Sequence, residues 1–469
     1  MKNEEFMVNE KVLFTPIHHS SFIILHSSFF INNRFFIKKM IKQYFQQAWA
    51  QLRQQPLISG VTVAGTALSI FLIMLVVMMQ QVQVEPFAPE SNRNRFLHVK
   101  WGSITNDAWG DSNSNGPWSA ATLKEIYGKL TTPETVTIYV AYSLPQPVNL
   151  PGQPATAVDV RETDGQFWTV FDFAFTDGKP FDQATFDAGR PVAVITESVA
   201  RLLFGTTKAV GKEFLLAHAP YRVCGVVKDV STLAETAYAQ VWIPYTSTDQ
   251  VNNTWEHGVM GDMSCTILAR DRSDFPAIRE EAARRLDEFN KVIGENGYRI
   301  INRNRPYDQE KNVLAGGANV EPDVTAARRS RFIIFLILLI VPAINLSSMT
   351  QSRLRRRVAE IGVRRAFGCT RMELLGQILG ENFIVTLLAG VLGLIISLLF
   401  AFLLGDTLFV QDWTTALNPP VVDASILIHA STFGWALLFC FVLNLLSTGI
   451  PAWRASRMNI VEAINGKAH

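Results

Sequence analysis

The sequence has little charge and little cysteine for its length. Asp, Glu, Lys and Arg make up 18% of the 469 residues, whereas soluble domains usually carry about 25%. Four cysteines are too few to build a disulfide-stapled scaffold of this size. The 43 basic and 41 acidic side chains leave a net charge of +2, so the composition gives no reason to expect nucleic-acid binding. A 48% share of hydrophobic residues excludes a disordered chain.

Catalytic motifs are missing as well. The sequence contains neither the metalloprotease motif HExxH nor the nucleophile elbow GxSxG. The stretch GTTKAVGKEF, residues 205–214, differs from a phosphate-binding loop, because five residues separate its glycines and Glu213 stands where Ser or Thr is required. We therefore expect a chain that is not an enzyme and that binds no metal and no cofactor itself.

The missing charge is concentrated in four long apolar windows. Each window supplies roughly the 20 helical residues that a hydrocarbon core of about 30 Å requires. The sequence therefore predicts a membrane protein with four transmembrane α-helices and a large mixed α/β extracytoplasmic domain, residues 85–328, inserted between the first two. The predicted spans are 57–84, 332–351, 382–405 and 430–453.

The distribution of Lys and Arg predicts the orientation. The connection 352–381 contains seven arginines, whereas the loop 406–429 contains neither Lys nor Arg. Basic residues near span ends stay on the cytoplasmic side. Both termini and the segment 352–381 are therefore predicted to be cytoplasmic, with 85–328 and 406–429 outside. Three arginines at 328, 329 and 331 oppose this orientation, but long translocated domains largely ignore the rule.

The two ends of the chain differ from the rest. Residues 1–39 are apolar and aromatic but interrupted by His and Ser, and we interpret them as an N-terminal extension that a mis-called start would explain. Residues 40–56 repeat apolar side chains at helical spacing, which predicts an amphipathic helix on the cytoplasmic leaflet. The tail 454–469 is predicted to be cytoplasmic.

The outer domain alternates strand-like and helix-like runs. Thr196 and Ser273 are expected to cap helices at their N-termini, and Gly205 is expected to end one. Cys224 and Cys265 allow one disulfide, although two unpaired strand cysteines are the preferred interpretation. The predicted strands are 96–101, 135–142, 156–160, 191–195, 221–229, 264–271 and 298–303, and the predicted helices are 119–130, 196–204 and 273–292.

The cytoplasmic segment has more order than an anchor needs. Residues 353–367 predict one helix with Arg356, Glu360 and Arg364 at i, i+4 spacing. Gly368 suits a left-handed helix end, and Thr370 with Glu373 forms a capping box that opens the next helix. A positive-inside anchor requires charge but no such arrangement. We therefore expect a docking surface for a cytoplasmic partner.

Small residues recur at four-residue spacing in two of the spans. Such residues allow close helix contact, and packing within one chain explains them as well as contact between two copies does. The helix-packing or dimer candidates are Gly60, Ala64, Gly65, Ser69, Ala389, Gly393 and Ser397.

Three groups of motifs resemble FtsX-like, MacB-type ABC transporter permeases. In the cytoplasmic segment they are Glu360-Ile361-Gly362, the run from Arg364 to Gly368, and Glu381. The tail motifs 451–455 and 461–464 also resemble the family, although Ile460 stands where proline is usual. The runs 191–205, 210–212 and 223–229 resemble the MacB-type periplasmic core domain. The resemblance extends from residue 40 to the end of the chain.

The resemblance implies a permease subunit in a bacterial inner membrane. Its expected partners are the lipid bilayer, an ABC ATPase subunit that holds ATP and Mg²⁺, a second permease copy of the same or a paralogous chain, and a periplasmic adaptor with an outer-membrane channel. Nucleic acid is not expected. The residues expected to couple the chain to the ATPase are Arg356, Glu360, Ile361, Gly362, Arg364, Arg365, Gly368 and Glu373.

Two activities are compatible with that resemblance. In the first, ATP hydrolysis moves the periplasmic domain and drives efflux or extraction of a substrate from the periplasm or the outer leaflet. In the second, the same movement is a transmembrane signal that activates a periplasmic partner such as a cell-wall hydrolase.

Overall fold

The structure, a computed structural model, describes residues 46, 50, 53, 56–408 and 430–458. The predictions for 1–39, for most of 40–56, for 409–429 and for 459–469 lie outside the described residues. The chain divides into two compact units. One is Ser69–Leu339 with Leu392–Leu438, and the other is Met1–Leu68 with Ile340–Val391 and Phe439–His469.

The helices range from a single turn to 33 residues. In chain order they are α1 Pro56–Val84, α2 Ala120–Ile126, α3 Phe167–Val170, α4 Gln183–Asp187, α5 Glu197–Phe204, α6 Phe275–Gly294, α7 Gln309–Val313, α8 Val324–Arg356, α9 Val358–Ala366, α10 Arg371–Leu403, α11 Gly405–Leu408 and α12 Ala430–Ser456.

Among the described residues, three helical stretches are long and apolar enough to cross a membrane. They are Ser59–Val84, Arg371–Leu403 and Ser431–Ser456, which correspond to the first, third and fourth predicted spans. The second predicted span, 332–351, lies within α8, which is one continuous helix but is not among these three. The count of four spans therefore stays a prediction.

The strands of the outer domain form one large sheet and two small ones. In chain order they are β1 Phe96–Val99, β2 Gly102–Asn106, β3 Ser114–Gly116, β4 Thr135–Val140, β5 Leu144–Asn149, β6 Thr156–Thr163, β7 Phe175–Gly178, β8 Val192–Thr196, β9 Glu213–Leu216, β10 Ala219–Val227, β11 Val241–Pro244, β12 Thr254–Trp255, β13 Met260–Gly261, β14 Met263–Leu268, β15 Tyr298–Ile301 and β16 Tyr307–Asp308.

Six strands of the large sheet close into a ring. Neighbouring strands pair in the order β11–β8–β10–β9–β5–β6, and β6 then pairs in parallel with β11. Apolar side chains fill the interior, among them Phe214, Val223 and Ile243, each about 1% exposed or less. Burying such a side chain contributes roughly 1.5–3 kcal/mol. The ring is therefore held by a core of its own.

The helix α5 covers part of this core. Its residues Val199, Ala200 and Leu203 belong to the buried cluster. The Thr196 hydroxyl accepts a hydrogen bond from the Val199 N–H, and Gly205 ends the helix at a φ of 70°. Both predicted caps are confirmed, because each depends only on residues within one turn.

The remaining strands extend the sheet away from the ring. From β6 the sheet continues as β4–β14–β1–β16, while β15, β2 and β3 form a separate sheet of three strands. The mixed α/β prediction is confirmed.

The prediction that Ser273 caps a helix is wrong. Asp271 caps a 3-10 turn at Arg272–Asp274 by accepting a hydrogen bond from the Ser273 N–H, and α6 begins after this turn. Cys224 and Cys265 are unpaired thiols.

A buried carboxyl on β6 makes the stability of this domain depend on pH. Glu162 is 6% exposed, and burial raises the pKa of its carboxyl to about 7, although the Thr248 hydroxyl donates to it at 2.5 Å. A carboxyl whose folded pKa is raised stabilises the fold below its unfolded pKa of about 4.5 and loses that contribution as the pH rises through 7.

We expect Glu162→Gln to raise the unfolding midpoint at pH 8 and to change it little at pH 4.5. The amide stays neutral and keeps an oxygen for Thr248, so the variant avoids a penalty on the order of 2–3 kcal/mol. Thermal unfolding of the detergent-solubilised chain at both pH values measures the difference. Glu288→Gln, at a carboxyl that is 66% exposed, is the control, and an equal gain from both variants would contradict the assignment.

Candidate functional site

Residues 353–367 belong to two helices, not to the single helix that was predicted. The first, α8, ends at Arg356, and α9 begins at Val358. Between them Arg357 has φ −100° and ψ 7°, and its N–H donates to the Leu354 carbonyl at 3.0 Å, as in a 3-10 turn. The local spacing allows a continuous helix, and at this break the Arg357 side chain contacts residues of both α9 and α10.

Those contacts form a closed ring of five side chains. Arg357 donates to Glu360 at 3.0 Å and to Glu381 at 3.0 Å. The Gln377 amide donates to Glu381 at 2.8 Å and accepts from Arg364 at 2.9 Å, while Arg364 donates to Glu360 at 2.5 Å. Glu381 is 2% exposed. The ring therefore fixes the orientation of α9 on the first turns of α10.

Glu360 is paired differently from the predicted arrangement. Its two partners are Arg357 and Arg364, and the side chain of Arg356 is exposed and outside the ring. The two guanidinium groups, Arg357 before Arg364, hold the pKa of Glu360 below its usual range. The i, i+4 prediction is thus right for Arg364 and wrong for Arg356, because the turn at 357 removes Arg356 from this face of α9.

A helix stop follows the ring. Gly368 has φ 95°, its N–H donates to the Arg365 carbonyl, and the Cys369 N–H donates to the Arg364 carbonyl, both at 3.1 Å. This pair of bonds is the Schellman arrangement, which needs a left-handed residue and so favours glycine. The predicted stop at Gly368 is confirmed.

The capping box that opens α10 is also confirmed. The Thr370 N–H donates to the Glu373 carboxylate at 2.9 Å, and the Glu373 N–H donates to the Thr370 hydroxyl at 3.2 Å. The Schellman stop and the box stand two residues apart. Together they define the turn between α9 and α10 without help from distant residues.

The inner face of α9 is apolar and buried. Ile361 is 5% exposed and Gly362 is buried. The Arg365 guanidinium donates to the Met458 carbonyl at 2.6 Å. The cluster that holds α9 against α10 and the end of α12 consists of Leu354, Ile361, Leu374, Ile378, Ala452 and Ala455.

Three exposed apolar side chains flank the turn between α9 and α10, and we call them the apolar tip. Phe367 is 89% exposed, Met372 is 74% exposed and Val363 is 45% exposed. Val363 lies on α9, Phe367 directly follows α9, and Met372 lies on the first turn of α10. Large apolar side chains grouped on a rigid surface mark interaction sites.

The small residues of the spans separate into two groups. Ala389, Gly393 and Ser397 are buried within the chain. Of the four in α1, Ser69 is buried, and the exposed ones are Gly60, Ala64 and Gly65. Contact between two copies therefore stays a prediction.

At Gly390, in α10, a larger side chain would meet a neighbour. A Cβ placed there would lie 2.2 Å from Cys440 Sγ but 3.8 Å from Cys440 Cβ. We expect Gly390→Ala to lower the unfolding midpoint in detergent, by about 1–3 kcal/mol of overpacking. Adding Cys440→Ala removes the clashing sulfur and should restore the midpoint. Additive losses in the double variant would contradict this contact.

Two family profiles match the chain in sequence order. Residues 59–285 match the MacB-like periplasmic core domain, and residues 332–460 match the FtsX-like permease C-terminal region. The chain belongs to the FtsX-like, MacB-type permease family. The resemblance inferred from the motifs is confirmed, and proteins of this family are inner-membrane permeases with a periplasmic domain.

Curated proteins that are similar to this chain include macrolide exporters. The macrolide export ATP-binding/permease proteins MacB of Escherichia coli (strain K12) and Shigella flexneri are each 25% identical to the permease over 316 residues, which cover 66% of its chain. The matched part is 43% of the length of these relatives.

Solved domains of two transporters are also similar. The periplasmic region of MacB from Actinobacillus actinomycetemcomitans is 16% identical, covers 44% of this chain and 88% of its own, and has a TM-score of 0.32. The extracellular domain of the noncanonic ABC-type transporter YknZ from Gram-positive bacteria is 15% identical, covers 43% and 100%, and has a TM-score of 0.31.

Proposed function

We propose that this chain is the permease subunit of an ABC transporter and that a separate ATPase subunit docks on the turn between α9 and α10. Binding and hydrolysis of ATP, held with Mg²⁺ on that ATPase, then move the periplasmic domain. The observation that carries the proposal is the apolar tip, whose Phe367 is 89% exposed and directly follows α9, the helix held by the ring of five side chains.

The charges of the segment argue for docking over anchoring. An anchor needs arginines that face lipid headgroups or water, with no particular pairing. Here the guanidinium groups of Arg357, Arg364 and Arg365 bind carboxylate, amide or carbonyl groups of the chain itself. The arginines thereby hold α9 in place, and an apolar surface is presented outward. An aromatic side chain can bury 150–250 Å² against a partner, at about 25 cal/mol per Å².

The proposed transport activity is suggested by the relatives of this chain. The MacB relatives are named macrolide exporters with ATP-binding and permease functions in one protein. For this chain we propose efflux or extraction of a substrate from the periplasm or the outer leaflet, by a permease dimer working with a periplasmic adaptor and an outer-membrane channel. Activation of a periplasmic hydrolase is the competing outcome, and the proteins that co-purify from the periplasm distinguish the two.

The orientation is part of the proposal and has its own test. Ser112 in the outer domain and Ser352 in the arginine-rich segment are both exposed. We expect a cysteine at 112 to react with an impermeant thiol reagent added outside intact cells, and a cysteine at 352 to react only after lysis. The reverse pattern would overturn the proposed topology.

The function itself is tested by reconstitution. The chain and its cognate ATPase are expressed together, purified in detergent and returned to lipid vesicles. We expect a stable complex whose ATP turnover differs from that of the ATPase alone. An ATPase that neither associates nor changes its turnover would refute the proposal, and hydrolysis by the permease alone would refute the assignment of catalysis to a partner.

A further inference from the structure

The outer end of α1 is tied to the periplasmic domain by one buried arginine. Arg93 is 3% exposed, and its Nη1 donates to the Val82 carbonyl at 2.7 Å and to the Glu85 carbonyl at 3.2 Å. Its Nη2 donates to the Leu233 carbonyl at 2.8 Å. The carbonyls at the end of a helix have no partner within the helix, and a cation there is favourable. Arg93 thus joins the last turn of α1 to a loop that is distant in sequence.

A buried carboxylate completes the joint. Glu90 is 1% exposed and accepts from Arg93 Nε at 2.6 Å. Its other oxygen accepts from the N–H groups of Thr236 and Ala237 at 2.9 and 3.0 Å. The Arg93 guanidinium also lies 4.2 Å from the centre of the Phe87 ring. Arg93 and Glu90 therefore each form hydrogen bonds with the backbone of the segment 233–237.

A second set of hydrogen bonds connects the same end of α1 to the periplasmic domain. The Gln309 amide donates to the Gln83 carbonyl at 2.8 Å, and its oxygen lies 2.8 Å from His98 Nε2. Burial lowers the pKa of His98 to about 4, so the ring is neutral and its Nε2–H donates to Gln309. The last turn of α1 is thus bonded to β1 and α7 as well as to the loop at 233–237.

We propose that Arg93, with Glu90, is the positioning pair that transmits movement of α1 into the periplasmic domain. The proposal rests on the proposed function and adds the place at which that function is transmitted. Buried ion pairs contribute little net stability compared with apolar side chains of the same volume, but they fix geometry through directional bonds. Apolar packing at this point would let α1 slide or rotate against the domain, whereas Arg93 holds carbonyls on both sides.

The test removes the bonds but keeps the volume. The double variant Arg93→Met/Glu90→Leu leaves no unpaired buried charge, so the fold should survive. It is studied as the full chain with its ATPase in lipid vesicles. We expect co-purification and ATP turnover at the wild-type level, while the ATP-dependent change in amide hydrogen exchange at 197–216, far from the joint in sequence, is lost.

Controls separate this proposal from the one on which it rests. The pair Arg284→Met/Glu280→Leu removes a salt bridge of the same domain whose side chains are 62% and 75% exposed, and it should retain the wild-type response. A wild-type complex without any ATP-dependent change in exchange would refute the proposed function rather than the role of Arg93. A wild-type response in the double variant would overturn that role.

A second variant covers failure of the first to accumulate. Arg93→Lys keeps the buried charge but has a single nitrogen, which cannot reach the α1 carbonyls and the Leu233 carbonyl with the geometry of the guanidinium fork. We expect a reduced exchange response at unchanged turnover. An undiminished response in Arg93→Lys would also overturn the proposal.

Discussion

Phe367→Asp is expected to release the ATPase from the purified complex and to leave the permease in the membrane. Phe367 is 89% exposed, so its loss removes no internal packing, whereas a carboxylate at an apolar contact must be desolvated without a partner. Central aromatic residues of interfaces contribute about 2–4 kcal/mol when truncated, and 2.8 kcal/mol corresponds to about a hundredfold loss of affinity. Titration of the ATPase against permease in nanodiscs measures that loss.

The outer domain offers a matched control. Val292 lies on α6 and is 64% exposed, so Val292→Asp places the same charge on an apolar position of the periplasmic domain. We expect wild-type affinity and turnover from this variant. Equal affinity in Phe367→Asp and Val292→Asp would place the ATPase contact somewhere other than the apolar tip.

Features that depend on a few neighbouring residues were predictable from the sequence. Thr196 caps the beginning of α5 and Gly205 ends it, as expected. Gly368 with the Thr370–Glu373 box forms the predicted turn. In each case, the donor and the acceptor lie within five residues, so the residue types alone specify the geometry. Three of the four apolar windows were equally readable, because their length is set by the thickness of the bilayer.

The ring of five side chains was not predictable. Arg357 is one of four arginines between 353 and 357, and no local pattern distinguishes it from its neighbours. Its decisive partner, Glu381, lies 24 residues further along the chain. The same limit applies to Phe367, because an apolar residue at a helix end is expected to pack inward unless the tertiary structure is known.

A strand that contains two prolines was also missed. The strand β5 reads LPQPVN, and its two prolines argue against a strand because they cannot donate to a neighbouring strand. In the structure Pro145 and Pro147 pair opposite Asp159 and Ala157 of β6, while only Val148 and Asn149 pair with β9. The proline half of β5 therefore has one partner strand, where a missing N–H is tolerated.

Arg357→Met is expected to destabilise the cytoplasmic helices and to reduce stimulation of the ATPase. The substitution leaves the Glu381 carboxylate, 2% exposed, with the Gln377 amide but without its cation at 3.0 Å. Removing one member of a buried pair costs about 3–5 kcal/mol, and we expect the lower end, because the Arg357 side chain is 30% exposed and partly hydrated. Thermal unfolding in detergent and ATP turnover in vesicles measure the two effects.

The double variant Arg357→Met/Glu381→Leu separates stability from coupling. Replacing both charges by apolar side chains removes the carboxylate that has lost its cation, so the unfolding midpoint should return to near the wild-type value. Glu360 keeps Arg364, but no side chain of the ring then ties the turn at 357 to α10. If the ring orients α9 for the ATPase, turnover stays reduced although stability is regained. If both stability and turnover recover, the ring serves stability alone. If Arg357→Met is as stable as the wild type, Glu381 does not need Arg357 for its contribution to stability.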